Sequence, residues 1–300
     1  MSPARFLTHL IVVVSLGNLA PAAAEPAQED APLPGLVTRN AAGAAMVIDL
    51  RNVPIQPAMV AQIADLPELK KLVLWGPAVG DAALDQLAKS QSLVDLTLLS
   101  TSVTDDGLAK LKEIPKLRSI NLNGSTGITN AGSETLAELS QLTHLSVPYT
   151  AITDAGVARF QSLKNLRLLD LRGCKVTDES LEVAAALPKL ASLKLRSSAI
   201  TDDGLKHLKD LTKLRGLHLE DADVSDEGLL SLKGLTALDD LNLLRVPIGD
   251  EGMAALADMT NMKQLILRGT YVGDEGLLHL AKMKELSKLD LSETGVQGPG

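Results

Sequence analysis

The sequence predicts an α/β solenoid built from strand–turn–helix units that stack side by side. Three observations predict this fold class. Similar stretches recur every 24 residues from Ala45 onward, and within each stretch the apolar residues change from strand spacing to helical spacing. Apolar residues make up 45% of the 300 residues, but aromatic residues only 2%. A core of Leu, Val, Ile and Ala is typical of a layered, repetitive interior, whereas compact globular cores use many aromatic rings.

The first 24 residues have the layout of a secretory signal peptide. Arg5 lies in a short basic region, residues 6–20 are mostly apolar, and residues 22–24 are three alanines. We therefore predict cleavage after Ala24. An uncleaved membrane anchor is the alternative, although the apolar stretch is shorter than the ~20 residues that a span needs. No other segment is long and apolar enough to span a bilayer, so the mature chain is predicted to lack a membrane span.

Residues 25–44 are predicted to form a flexible linker. They are rich in Ala, Pro, Glu and Asp and show neither the strand period nor the helix period. Partial ordering of this linker against the first repeat is left open.

The repeat domain is predicted to occupy residues 45–300 as ten full repeats and one partial repeat. A single inserted residue lies near residues 124–127, and the partial repeat starts at Leu286. The full repeats start at Ala45, Leu69, Leu93, Leu117, Leu142, Leu166, Leu190, Leu214, Leu238 and Met262. One unit cannot bury its apolar face alone, whereas stacked units bury one continuous interior.

Each repeat divides into a strand, a turn and a helix. Positions 4 and 6, such as Leu193 and Leu195, alternate as in a strand, and positions 16, 19 and 22 follow a helical stripe. An Asp at position 13, such as Asp202, is predicted to cap the helix. A Gly at position 15, such as Gly204, is predicted to allow close packing at the start of the helix. Side chains at positions 3, 5 and 7 should then face solvent on the concave side of the sheet.

The pattern L-x-x-L-x-L-x-x-T-x-I resembles the leucine-rich-repeat family. Units that end in Thr-Asp-x-Gly-Leu are similar to those of exported bacterial members and of F-box leucine-rich-repeat proteins. The resemblance implies a right-handed, horseshoe-shaped solenoid of the ribonuclease-inhibitor type, with a parallel sheet on the concave face and helices on the convex face. It also implies ligand binding on the concave face, without naming a ligand. No F-box segment precedes Ala45 in this sequence.

At position 9 the sequence departs from the family's pattern. The family often has Asn or Cys there, whereas this chain has mainly Thr and Ser, and Pro77, Ala222 and Val246 interrupt the column. Hydroxyl groups are expected to form a weaker, incomplete ladder between neighbouring turns. Cys174, the only cysteine, falls in this column and is predicted to be a buried structural thiol.

Several functional classes are disfavoured by the sequence. The formal charge of −8 argues against a nucleic-acid partner, which needs a basic footprint. His144 and His218 lie three repeats apart, roughly 14 Å at strand spacing, so that they cannot share one zinc ion. No nucleophile elbow, phosphate loop or dinucleotide fingerprint is found. We therefore predict neither an enzyme nor a cofactor or metal site.

An exposed apolar patch is predicted near the N-terminal end of the concave face. Trp75, the only tryptophan, lies beside Val73 and Leu99 in the predicted register. Tyr149, one of two tyrosines, lies at the end of a strand further along. Trp and Tyr are frequent anchors of protein interfaces. The competing interpretation is that the linker covers Trp75.

A charged patch is predicted on neighbouring repeats. Arg172 and Arg196 occupy the same column, and acidic residues flank them. This arrangement is either a surface salt-bridge ladder or a site for a carboxylate or other anion on a partner. The complete set of predicted partner-binding residues is Val73, Trp75, Leu99, His144, Tyr149, Asp170, Arg172, Lys194, Arg196, His218 and Glu220.

The sequence thus predicts a non-catalytic scaffold that works outside the cytoplasm, in the periplasm, on the cell surface or as a secreted protein. Its predicted partner is another protein, and it is expected to be a monomer. A cell-surface adhesion protein that binds polysaccharide is the main alternative. An F-box-like substrate receptor is a minor alternative, because a signal peptide argues against a cytosolic role.

Overall fold

The computed structural model describes residues 35–298, so the predicted signal peptide and residues 25–34 of the predicted linker lie outside the described residues. The described part contains one sheet of twelve strands that follow one another in sequence order. The strands are β1 (Leu36–Arg39), β2 (Ala45–Asp49), β3 (Lys71–Trp75), β4 (Asp95–Leu99), β5 (Ser119–Asn121), β6 (His144–Ser146), β7 (Leu168–Asp170), β8 (Ser192–Arg196), β9 (Gly216–Glu220), β10 (Asp240–Asn242), β11 (Gln264–Ile266) and β12 (Lys288–Asp290).

Short helices connect the strands. The α-helices are α1 (Pro57–Ala64), α2 (Asp81–Leu87), α3 (Asp105–Leu108), α4 (Asn130–Glu138), α5 (Asp154–Val157), α6 (Asp178–Ala185), α7 (Asp202–Leu208), α8 (Asp226–Leu229) and α9 (Asp274–Leu277). Further 3₁₀ turns span Ala109–Glu113, Ala158–Ser162, Leu230–Leu232, Gly252–Leu256 and Leu278–Leu280. Within residues 35–298, none of the helices combines the length and the apolar character that crossing a membrane requires.

Strands β2 to β12 are parallel, and equivalent positions pair in register. Leu193 of β8, for example, lies opposite Leu169 of β7 and Leu217 of β9. The side chains at positions 4 and 6 point away from the concave face into one continuous aliphatic core, in which Leu193 and Leu195 are buried. Because each unit buries its apolar face against its neighbours, the repeat register predicted from the sequence and the solenoid fold class are confirmed.

The start of the sheet shows that the end of the predicted linker is ordered against the first repeat, the alternative that the sequence left open. Residues 36–39 form β1, which pairs antiparallel with β2 and is joined to it by a short turn. Val37 lies opposite Ile48 and packs against the core, so that Ile48 is fully buried although its strand begins the parallel array. The sequence pattern does not indicate this strand, because four residues are too few to establish the two-residue period of a strand. It works as a cap, since it covers the edge that the first parallel strand would otherwise expose.

The turns between strand and helix correct the role predicted for the Asp at position 13. In α2, α3 and α5 to α9 this Asp is the first residue of the helix, and the residue before it is the N-cap. In α7 the N-cap is Thr201, whose hydroxyl accepts a hydrogen bond from the amide of Asp203. The Asp still lies in the first helical turn, where the helix dipole favours a negative charge. Its carboxylate, however, reaches forward to the next repeat. Asp178 accepts 2.8 Å and 2.6 Å hydrogen bonds from the amide and hydroxyl of Thr201.

This inter-repeat link explains the glycine at position 15. A Cβ on Gly204 would overlap the carboxylate of Asp178, and a Cβ on Gly228 would overlap that of Asp202. The predicted close-packing role is confirmed, and the atoms that demand it belong to the preceding repeat. Two repeats without this glycine fit the same explanation. Ala83 takes the place of the glycine where the preceding repeat has Pro57 instead of Asp, so no carboxylate needs the space. Ser180 takes its place in another repeat, where the serine hydroxyl donates a 2.5 Å hydrogen bond to the carboxylate of Asp154.

Candidate protein-binding surface

The solvent-facing side of the sheet carries side chains from positions 3, 5 and 7 of each repeat, with position 8 following directly. Two different regions lie on this side. An apolar groove lies beside β3 and β4, and a ladder of charged side chains crosses the sheet from β6 to β10.

The apolar groove surrounds Trp75, which is 50% exposed. It encloses about 650 Å³, and its lining includes Val53, Ile55, Trp75, Pro77, Ala78 and Leu99. Leu99 lies opposite Trp75 in the parallel pair of β3 and β4. The exposed indole contradicts the interpretation that residues 35–44 of the linker cover it.

Val73 does not belong to the exposed patch that the sequence predicted. Its side chain is on the predicted side of β3, outside the main core cluster, yet it is only 6% exposed. In register, Val73 lies between Asp49 of β2 and Thr97 of β4. The exposed patch therefore consists of Trp75, Leu99 and the turn residues of the groove.

Tyr149 lies along the sheet surface and bridges two repeats. A Cβ on Gly173 would overlap its ring, so the glycine leaves the space that the ring occupies. The phenol oxygen accepts a 3.2 Å hydrogen bond from Arg196. Tyr149 remains 46% exposed, so that one face of a fixed aromatic ring faces solvent.

Arg196 continues this contact toward the C-terminal repeats. Its Nε donates a 2.7 Å hydrogen bond to Asp221, and Arg245 donates from Nε and Nη2 to the same carboxylate at 2.5 Å and 2.9 Å. The hydrogen bonds from Arg245 and then Arg196 lower the pKa of Asp221 below its usual value. Asp221 therefore remains charged while it holds two arginines in fixed positions.

Arg172 lies in a second group of charged side chains, with Asp170 and Glu220. It donates from Nε and Nη2 to Asp170 at 3.0 Å and 2.8 Å, and its Nη1 lies 3.8 Å from Glu220. Asp170 and Glu220 are buried, and Glu220 accepts a 3.0 Å hydrogen bond from Asn242. We call Tyr149, Arg172, Arg196 and Arg245, together with Asp170, Glu220 and Asp221, the arginine ladder.

The ladder contains other ion pairs than the register alone suggests. In register, Asp170 lies opposite Lys194, and Arg196 lies opposite Glu220. Asp170 nevertheless binds Arg172 of its own repeat, and Arg196 binds Asp221. The three arginines face three carboxylates, so the geometry favours the salt-bridge interpretation over an empty anion site.

The predicted histidines occupy separate places. His144 is exposed, and its Nδ1 lies 2.9 Å from the hydroxyl of Thr143. His218 is mostly buried, and its Nε2 lies 3.0 Å from Asp240. The contact with His218 is the main cause of a lowered pKa of Asp240. In residues 35–298 no group of three or more His, Cys, Asp or Glu side chains is arranged to hold a metal ion.

Position 8 is the feature that sequence reasoning missed. Nine of the eleven residues at this position adopt left-handed backbone conformations, which Gly takes at no steric cost; Asn52 and Ser197 do not. Gly occupies this position with positive φ at Gly76, Gly124, Gly173 and Gly269, but Ser100, Tyr149, Asp221, Arg245 and Glu293 adopt the same conformation. Each such residue costs roughly 1 kcal/mol, and Tyr149, Asp221 and Arg245 all belong to the arginine ladder. The alternation of Gly with large polar residues in this column was visible in the sequence and could have identified Asp221 and Arg245.

Cys174 has the predicted structural role. The thiol is buried, donates a 3.1 Å hydrogen bond to the carbonyl of Val147 and lies 3.5 Å from the hydroxyl of Thr150. Burial raises the pKa of the Cys174 thiol, which disfavours the reactive thiolate.

Comparison with known proteins agrees with this architecture. A family model described as "Leucine Rich repeat" matches residues 162–183 and 210–233. The fold is similar to that of an internalin from Listeria monocytogenes, with 23% identity, a TM-score of 0.55, and coverage of 79% of this chain and 72% of the internalin. No curated protein sequence matches the chain.

A plant receptor shows the same fold in a larger protein. The leucine-rich-repeat ectodomain of the Arabidopsis receptor kinase HAESA, solved in complex with an N-terminally extended IDA peptide hormone, is 16% identical with a TM-score of 0.55. The match covers 87% of this chain and 48% of the receptor chain, so this chain spans about half of that length. At such identities the similarity concerns the fold.

Proposed function

We propose that this leucine-rich-repeat protein is a non-catalytic scaffold that works outside the cytoplasm and binds a protein partner on its concave sheet face. The sequence of residues 1–24 supports export, since it combines a basic start, an apolar centre and small residues at a cleavage site. Export to the periplasm, the cell surface or the medium is equally compatible with such a signal.

The observation that carries the binding proposal is the half-exposed Trp75 beside the apolar groove. A chain with one tryptophan places it at a strand end where its ring adjoins solvent. Large rigid aromatic side chains at the edge of a pocket typically contribute much of the binding free energy of protein interfaces. The groove therefore suits an apolar side chain of the partner.

The distance between the apolar groove and the arginine ladder indicates how long a partner segment that contacts both must be. From β3 to β6 the sheet advances three strands, or roughly 14 Å, and from β3 to β8 five strands, or roughly 24 Å. An extended peptide covers about 3.3 Å per residue, so a partner segment of roughly seven residues reaches from the groove to Arg196. We expect this segment to place an apolar side chain in the groove and polar groups on the ladder.

Polysaccharide binding receives less support from the geometry. A sugar chain is expected to stack on several aromatic rings along one row. On the described sheet face the aromatic residues are Trp75 and Tyr149, which lie three repeats apart. The ring of Tyr149 is moreover fixed against Gly173 and Arg196.

The proposal is tested by capture of partners from an envelope or secreted fraction with the wild-type protein and the Trp75→Ala variant. A partner identified with the wild type should bind Trp75→Ala on the order of 30-fold more weakly, which corresponds to about 2 kcal/mol. Its affinity for each purified variant is measured by calorimetry. The fold should persist by circular dichroism, because Trp75 is half exposed.

Two matched variants control for the type of residue removed. Tyr271→Ala removes an exposed aromatic ring from the turn after β11, and Arg159→Ala removes an exposed arginine from the convex side. Both should bind the partner as the wild type does, whereas Arg196→Ala should weaken binding. A partner that binds Trp75→Ala and Arg196→Ala with unchanged affinity would remove the concave face from consideration.

A further inference from the structure

The two ends of the solenoid are sealed differently. At the N-terminal end the antiparallel strand β1 covers β2, and Ile48 is fully buried. At the other end β12 pairs only with β11 within the described residues. Leu289, at position 4 of the last repeat, is 40% exposed, whereas the residues at this position in β2 to β11 are at most 1% exposed.

The free edge of β12 offers both backbone and apolar groups. Lys288 donates its amide hydrogen to the carbonyl of Lys263, and the carbonyl of Asp290 accepts from Leu267, so these two residues face β11. The backbone N–H and C=O of Leu289, between them, point to the open side, as on any strand edge. Next to this strand Leu286 and Leu291 are only partly buried.

The sequence of β12 is complementary to itself when it is turned around. In an antiparallel pair centred on Leu289, Leu289 lies opposite Leu289 of a second copy and exchanges both backbone hydrogen bonds with it. Lys288 then lies opposite Asp290 of that copy, and Asp290 lies opposite Lys288. Opposite charges directly across an antiparallel pair are favourable, and a two-fold axis supplies the contact twice.

We propose that β12 is a self-association site, at which two copies of this chain pair antiparallel about a two-fold axis that passes midway between their Leu289 residues. The second copy seals the open end as β1 seals the other end, with Leu289 in the role of Val37. The axis is perpendicular to the sheet, so both concave faces lie on the same side of a continuous sheet. The inference goes beyond ligand binding and departs from the monomer expected from the sequence.

The geometry also selects this arrangement over head-to-tail stacking. A contact between β12 and β1 of the next copy would repeat without closing and produce a filament. It would also place Lys288 and Asp290 opposite Leu36 and Thr38 or Val37 and Arg39, without a matched pair for each charge. The two-fold contact satisfies all four charges and ends at two copies.

The experiment measures the mass of the purified full chain by analytical ultracentrifugation over a range of concentrations. The wild type should reach twice the monomer mass. Lys288→Asp and Asp290→Lys each place like charges opposite one another twice, so each should weaken self-association on the order of tenfold or more. The double variant Lys288→Asp/Asp290→Lys restores opposite charges and should recover the dimer.

A mixture of the two single variants tests the antiparallel pairing most directly. Lys288→Asp has two acids in β12 and Asp290→Lys has two bases, so the two single variants should form a mixed dimer with each other although neither pairs with itself. Lys206→Asp, an exposed change on α7, is the matched control and should dimerise as the wild type does. A wild type that stays monomeric, single variants that associate normally, or assemblies that keep growing beyond two copies would each overturn the proposal.

Discussion

The turns at positions 12 to 15 and the concave sheet face differ in how strictly the repeats copy one another. In the turns, one arrangement recurs along the solenoid: an Asp or Asn accepts hydrogen bonds from the turn of the next repeat, as Asp105 does from Thr129 and Asp202 does from Ser225. On the concave face, different repeats present Trp75, Leu99, Asn123 and Arg172 at the same position. Positions that every unit must share hold the units together, and positions that are free to differ are available for recognition.

The physical cause of this difference is the geometry of stacking. Each turn must meet the next repeat through the same few atoms, so that a change in one partner requires a change in the other. Pro57 and Ala83 show such a paired change within the chain. The first repeat has Pro57 instead of the Asp, and the second repeat has Ala83 instead of the Gly whose space that Asp would need. Side chains on the sheet face meet solvent on one side and can vary freely. The predictions below test this division, from the largest expected effect to the smallest.

Leu195→Asp should cause the largest loss of stability. Leu195 is buried in the continuous core beneath β8, and an aspartate there would bury an unpaired charge. We expect a loss of more than about 4 kcal/mol in the free energy of unfolding, measured by urea denaturation and circular dichroism. The control is Ser192→Asp, on the solvent-facing side of the same strand, which should lose less than about 1 kcal/mol. Equal losses in the two variants would contradict the assigned register.

Gly204→Ala should cause an intermediate loss through the preceding repeat. The new Cβ would overlap the carboxylate of Asp178, and overpacking of this kind typically costs about 1–3 kcal/mol. Asp178→Ala removes the obstacle, so the double variant Asp178→Ala/Gly204→Ala should lose less stability than the sum of the two single variants. Urea denaturation of all four proteins measures this coupling. Strict additivity would show that the carboxylate does not impose the glycine.

The register of the interior could be predicted from the sequence because it rests on spacing alone. Leu193 and Leu195 are two residues apart, and the same interval in every repeat assigns one side of each strand to the core. The fate of individual surface side chains depends on competition between neighbours. Val73 is buried although it lies on the solvent-facing side of β3, and Arg196 binds Asp221 although Glu220 is its partner in register. A long arginine side chain can reach several carboxylates, and the local sequence pattern does not determine which of them accepts its hydrogen bonds.

Asp178→Asn should have the smallest effect, and it separates hydrogen bonding from charge in the turns. Asn130 already occupies this position in another repeat, where its Oδ1 accepts from the amide of Thr153 and its Nδ2 donates to the hydroxyl, both at 2.9 Å. Asp178→Asn should therefore keep both links to Thr201 and lose less than about 0.5 kcal/mol, whereas Asp178→Ala should lose about 1–2 kcal/mol because two hydrogen bonds disappear. Urea midpoints of the two variants measure the difference. If Asp178→Asn destabilised the protein as much as Asp178→Ala, the negative charge beside the helix dipole, rather than the link between repeats, would be what the turn requires.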